Sequence, residues 1–196
     1  MKHLLITGFD PFGGETVNPS WEAVSRLPDA VGNYRLTKMQ IPTVFAVAAE
    51  AVLTAAAADA PDVILCVGQA GGRDAVTPER IAINMASAKK PDNAGNQPVE
   101  MPILPGAPDG IFSTVPVAAM AEAITAAGLP GKISNTAGTF VCNDTLYRLL
   151  RHYAGTPIRV GFIHVPWLPE QATEGAPSMP LEDILAALTT AIGVLR

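Results

Sequence analysis

Four short runs rich in aliphatic and β-branched side chains, Leu4–Thr7, Arg35–Ile41, Val63–Val67 and Ile158–Val165, alternate with segments of helical spacing. This alternation is the tightest constraint on the fold. A strand followed by a helix and a second strand in the same direction forms a βαβ unit, and a series of such units gives a parallel sheet covered on both faces. The pattern predicts an α/β fold, a three-layer α/β/α sandwich with a mostly parallel twisted sheet. Its 196 residues, 48% of them hydrophobic, suit a single domain over 1–196 that buries a core without staples.

The helices carry recognisable ends. One starts near Pro19, with Asn18 as its cap and proline at the first helical position. An alanine-rich helix is expected from Val44 to Asp59. Another is expected from Pro116 to Ala127, capped by Ser113 or Thr114 and closed by Gly128. Leu181, Ile184, Leu185, Leu188, Ile192 and Leu195 mark a last amphipathic helix. Lys132–Ser134 reads as a short strand, and 166–180 as a flexible proline-containing loop. Residues 69–110 are rich in loops apart from Arg80–Asn84, and loops this long in compact domains tend to carry function.

Charge and cysteine usage narrow the function classes. A formal net charge of -5 without a basic run leaves no footprint for nucleic acid or an anionic membrane. The longest apolar stretch, Ile41 to Ala60, is broken by Pro42, Glu50 and Asp59, and reads as a packed helix rather than a membrane span. Met1-Lys2-His3 runs straight into the first strand, with no room for a signal segment. Two cysteines make no disulfide framework, so a reducing, cytoplasmic setting is expected. His3, His152 and His164 form no ligand motif, and neither a metal nor another cofactor is expected.

Cys142 is the most chemically suggestive residue. Leu146, Leu149, Leu150 and Tyr153 recur at helical spacing after Asn143 and Asp144, which favour a first turn and cap, so Cys142 stands where a loop enters a helix. Orphan first-turn N–H groups and the positive end of the helix dipole would favour a thiolate there. A buried thiol without chemistry is the alternative. His164 lies near the C-terminal end of the run ended by Pro166, the sheet edge where open α/β folds gather their sites. It could take the thiol proton, hold an ion pair with a thiolate, or be a core histidine. Cys66, inside Val63–Val67, reads as a core residue.

Several blocks together carry a resemblance. Gly8-Phe9-Asp10-Pro11-Phe12-Gly13-Gly14 with Asn18-Pro19-Ser20, then Gly68-Gln69-Ala70-Gly71-Gly72-Arg73, Pro78-Glu79-Arg80-Ile81-Ala82-Ile83-Asn84, Pro91-Asp92-Asn93-Ala94-Gly95-Asn96-Gln97-Pro98, Gly138-Thr139-Phe140-Val141-Cys142-Asn143 and Ile163-His164-Val165-Pro166 follow one another along the chain. In order and spacing this resembles the pyroglutamyl peptidase I family of cysteine peptidases. The resemblance implies a cytosolic exopeptidase that removes N-terminal pyroglutamate through a thioester, often as a homotetramer. It implies Cys142 as nucleophile, His164 as base and Glu79 as the acid of the triad; by itself Glu79 is only a charged residue before a strand. It also implies a substrate pocket of Phe9, Phe12, Asn18, Thr43, Gln69, Phe140 and Val141. From the residues alone Phe9 and Phe12 could as well be core aromatics. Lys89-Lys90 stand where many members carry Arg-Ile, and Ala94 where an acidic residue is commoner.

Two other classes compete. The Gly8–Gly14 loop after the first strand could cradle phosphate, although it matches neither a Walker nor a dinucleotide pattern and Pro11 removes one donor. A non-catalytic binding protein with Cys142 as a redox-sensitive thiol is the other.

Overall fold

A computed structural model describes residues 1–195. Strand β1 (Lys2–Phe9) leads to helix α1 (Pro19–Arg26), a two-residue strand β2 (Ala30–Val31), β3 (Tyr34–Ile41), α2 (Val47–Asp59) and β4 (Val63–Gln69). Short strands β5 (Thr77–Pro78), β6 (Ile81–Ile83) and β7 (Gly110–Phe112) follow. Helix α3 (Val117–Ala126), α4 (Val141–His152), strand β8 (Arg159–Val165) and α5 (Leu181–Gly193) complete the order.

The main sheet runs β2-β3-β1-β4-β8-β5. Its four long strands β3, β1, β4 and β8 are mutually parallel, and the short edge strands β2 and β5 are antiparallel. Leu4, Ile6, Val63, Leu65 and Val67 join side chains of α1, α3 and α5 in one apolar cluster. Leu5, Phe9, Ile64, Cys66 and Phe162 join α2 and α4 in a second. Alternate residues of each strand therefore feed opposite layers, as a sheet buried on both faces requires. The expected three-layer α/β/α sandwich is what forms.

Several details depart from the sequence reading. Helix α2 starts at Val47 rather than Val44, because Ala46 sits at φ +62 in a tight turn closed by the Val47 N–H on Phe45 O at 2.7 Å. Asp144 Oδ2 accepts the Ala46 N–H at 2.8 Å and pins that turn. Neither Ser113 nor Thr114 caps α3: Thr114 is drawn to the Val160 backbone and Ser113 donates to Glu79 O, while Pro116 stands at the cap. Gly128 does adopt the left-handed conformation, at φ +81. Lys132–Ser134 is not a strand. Isolated bridges, Gly131 to Val76 and Ser134 to Glu79, and the Lys132–Asp74 ion pair at 2.7 Å tie that segment to its neighbour. The 166–180 loop is anchored by a Trp167–Ser178 bridge and by Gln171, which donates to Val17 O and Gln69 Oε1. Asn18 caps α1 as expected, accepting the Ser20 N–H at 3.1 Å.

Candidate active site

Phe140 is the cap residue of α4, with extended backbone and no side-chain cap, so Val141 and Cys142 are its first two helical residues. Their N–H groups, with no carbonyl one turn earlier in the helix, are free to meet an anion. Asn143 and Asp144 stand in the first turn of α4, as expected, and Phe140 rather than either of them is the cap. Asn143 is fully buried and holds the β6 segment, accepting the Ile83 N–H at 2.9 Å and donating to Ile83 O and Met85 O. Asp144 is taken by Ala46 and Arg148. Both side chains lock the first turn of α4 to its surroundings, which fixes where the Cys142 sulfur points.

His164 lies on β8 beside Gly68 of β4. A methyl carbon at Gly68 would lie 2.8 Å from the Phe162 ring and 3.0 Å from Cys142 Sγ. Glycine there leaves the sulfur its place against the sheet. Behind the imidazole, Glu79 is completely buried, and its Oε1 accepts from His164 Nδ1 at 2.7 Å. Because a carboxylate only accepts, Nδ1 carries the proton and Nε2 keeps a free lone pair. The position of Glu79 is set on both sides, by its N–H on Phe162 O at 2.9 Å and by the Ser113 hydroxyl on its carbonyl at 2.6 Å.

Arg73 completes this group, and sequence reasoning missed it. Its Nη1 donates to the same Glu79 Oε1 at 2.6 Å and to Thr77 Oγ1, and its Nη2 reaches Thr136 O at 3.0 Å. The Gly68–Arg73 block held the signal, since an arginine ending a glycine-rich loop after a buried strand is placed to meet a buried carboxylate.

The electrostatics correct the expectation of a resting thiolate. Burial foremost, then the negative charge of Glu79, pushes the Cys142 thiol up to about 12, against smaller opposing effects of Arg73 and the local backbone. Burial also holds His164 below its usual value, with Arg73 acting in the same sense and Glu79 opposing. At Glu79 burial opposes ionisation most strongly. The hydrogen bond and charge of His164, with Ser134 and Arg73, outweigh it and keep the carboxyl below its ordinary range. These directions, a raised thiol, a lowered imidazole and a lowered carboxyl, favour an uncharged Cys142–His164 pair beside an ionised Glu79. The free helix N–H groups do not overcome desolvation of the sulfur.

Cys142 and His164 open on one cavity of about 310 Å³. Phe9, Phe12, Asn18, Thr43, Gln69 and Phe140 all line it, as do Ala70, Gly71, Arg73, Ala137 and Gly138. The Phe12 and Phe140 rings face one another at 5.9 Å between centroids, tilted by 34°. Asn18 Nδ2 and Thr43 Oγ1 both donate to Asp10 O, which ties the Phe9–Phe12 loop to α1 and to the end of β3. Val141 is the exception among the expected pocket residues. Its side chain is fully buried in the core shared with α2 and the sheet, because the first helical position of α4 faces inward.

In the Gly8–Gly14 loop the Phe9 N–H is given to Ser20 Oγ and the Asp10 N–H to Ile41 O, and Pro11 has none, so the first half of the loop offers no donor to a phosphate. Among the described residues no three His, Cys, Asp or Glu side chains converge as a metal site, and no helix is long and apolar enough to cross a membrane.

Known proteins share this sequence pattern and this fold. The sequence model of the family described as Pyroglutamyl peptidase matches residues 2–196. A pyrrolidone-carboxylate peptidase of Levilactobacillus brevis is 53% identical over 193 residues, covering 96% of this chain and 95% of its own. The crystal structure of pyroglutamyl peptidase I from Bacillus amyloliquefaciens superimposes with a TM-score of 0.96 at 47% identity, covering 100% of this chain and 97% of that one. The pyrrolidone carboxyl peptidase of Thermococcus litoralis gives 0.94 at 34% identity, covering 100% and 93%. Matched from end to end in sequence and in fold, the chain belongs to the pyroglutamyl peptidase family.

Proposed function

We propose that this protein is a cysteine exopeptidase that removes N-terminal pyroglutamate from peptides, with Cys142 as nucleophile, His164 as base and Glu79 as the group that orients the base. The observation that carries this reading is the convergence of three parts on one cavity wall. The sulfur stands at a helix start, the imidazole faces the same cavity, and a buried carboxylate holds the far imidazole nitrogen at 2.7 Å. The pocket suits an uncharged lactam. Phe9, Phe12 and Phe140 offer apolar faces, and Asn18, Thr43 and Gln69 offer polar atoms for the amide edge.

The neutral resting pair dictates the order of events. As the sulfur–carbon bond to the pyroglutamyl carbonyl forms, His164 Nε2 takes the thiol proton, so charge separates only in the transition state. The carbonyl oxygen becomes an oxyanion, for which the Cys142 N–H is a preformed donor. The imidazolium, stabilised by Glu79, passes its proton to the departing amine nitrogen as the carbon–nitrogen bond breaks. A thioester remains. Water, deprotonated by His164, cleaves it to free pyroglutamate and restores the thiol.

Release of a fluorescent amine from its pyroglutamyl amide, with the prolyl amide as control, tests this reading. Cleavage of the pyroglutamyl amide alone is expected, and folded, reduced protein that cleaves neither contradicts it. A reducing cytoplasm suits an enzyme that depends on a free thiol. Self-association belongs to the same proposal and is supported by exposed Val47, Val99, Met101 and Phe112. A monomer in sedimentation at assay concentration would remove it.

A further inference from the structure

Beside the catalytic cavity lies a second of about 330 Å³, and the two share Phe12 and Phe140 as common walls. Its far wall carries Lys89, Lys90 and Pro91, and Thr139 closes it. This wall is built. Ser87 and Thr139 exchange hydrogen bonds at 3.0 and 2.7 Å, and the Ala88 N–H is held by Pro98 O at 2.8 Å. Both lysines are exposed, and neither forms an ion pair among the described residues. The adjacent Asp92 cannot neutralise them cheaply, because its carboxylate accepts from Phe45, Ala94 and Asn96.

A pyroglutamyl group carries no charge, so two cations serve nothing in the lactam pocket itself. The part of a peptide that can carry charge is the part that leaves. Phe12 and Phe140 wall both cavities, so an extended peptide that leaves the catalytic cavity past these two rings, advancing ~3.4 Å per residue, enters the second. We infer that the second cavity receives this leaving segment and that Lys89 and Lys90 favour a carboxylate on it, giving the enzyme a preference for short or acidic pyroglutamyl peptides. The inference rests on the peptidase reading above. The carboxylate has two sources, an acidic side chain after pyroglutamate or the free C-terminus of a di- or tripeptide.

Both sources are separable by kcat/KM on four peptides: pyroglutamyl-Glu amide against pyroglutamyl-Gln amide for the side chain, and pyroglutamyl-Ala-Ala as free acid against its amide for the terminus. An uncharged pyroglutamyl reporter amide runs beside them. For exposed charges facing a flexible ligand, a preference of roughly fivefold at low ionic strength is expected for at least one acidic member of a pair. It should vanish near 1 M salt, where the screening length is about 3 Å. The double variant Lys89→Gln/Lys90→Gln should lose the preference and keep parental turnover of the reporter, with an unchanged melting temperature showing that it folds. Equal rates within both pairs, or a preference that survives in the double variant, overturn the inference while leaving the peptidase reading intact. Failure of the parent to cleave even the reporter overturns both.

Discussion

The two cysteines of this chain share a thiol pushed up by desolvation, and they differ in exposure and in what surrounds them. Cys66, on β4, is fully buried, and desolvation pushes its thiol up to about 12, with the nearby Thr7 hydroxyl offsetting only part. Cys142 is pushed up to about 12 as well. Acidity does not separate them. Cys66 faces the apolar layer formed by α2, α4 and the sheet, whereas Cys142 stands on the wall of a cavity that His164 also lines. In the proposed reading, access and a base with a free lone pair, rather than a standing thiolate, single out Cys142 as the nucleophile.

The largest effect that can break this contrast is at the sulfur itself. Cys142→Ala should lower kcat/KM on a pyroglutamyl amide by at least roughly a thousandfold. Next in size is Glu79→Gln. An amide can donate to Nδ1 and so strand the imidazole proton on Nε2, where it blocks the lone pair. A loss of about a hundred- to ten-thousandfold in kcat with little change in KM is expected from steady-state kinetics.

The pH dependence sharpens the contrast further. His164 is needed neutral and is held below its ordinary value, so kcat/KM should be level above about 6.5 and fall only as pH drops through the lowered value. Because the thiol is neutral at rest, alkylation of Cys142 by iodoacetamide should climb about tenfold per pH unit across the neutral range. A plateau there would instead reveal a standing thiolate–imidazolium pair. Glu79 adds a stability effect of the other kind. Its folded pKa lies below its unfolded one, so its contribution is present above the ordinary carboxylate range and is lost as pH falls through the depressed value.

Two smaller effects complete the series. Arg73 favours neutral His164, so Arg73→Met should move the acid limb of the pH–rate profile upward while reducing turnover modestly. Cys66→Ala should leave kcat/KM within about twofold and reduce stability by about 1–2 kcal/mol in denaturant unfolding, the range for trimming a buried side chain.

Much of this was legible in the sequence, for reasons tied to particular residues. The strands at Leu4, Val63 and Ile158 could be read because each is a mostly buried aliphatic run long enough to pair, and the one at Arg35 because it fills the place between two helical segments. The two- and three-residue strands β2 and β7 have no such pattern, being made by the partner they meet. Asn18 could be read as a cap because the following proline fixes the helix start. Asn143 and Asp144 marked the first turn of α4, but their task could not be read, since the same side chains that cap helices also satisfy distant backbone groups, here at Ile83, Met85 and Ala46. Cys142 and His164 were visible at their element ends. Glu79 was visible only through the family pattern, because burial of a glutamate depends on a partner 85 residues away in the chain. Arg73 and the raised thiol escaped for a similar reason: both depend on the buried charge of Glu79, and the thiol also on its own burial.

The most direct test of the central claim is to mix the protein with a pyroglutamyl ester, quench with acid during the first turnover, and locate any added mass by peptide mapping. One pyroglutamyl acyl group on the peptide that contains Cys142, absent from Cys142→Ala and absent from the Cys66 peptide, is the predicted result. Turnover without any acylated Cys142, or an acyl group on another side chain, would contradict it.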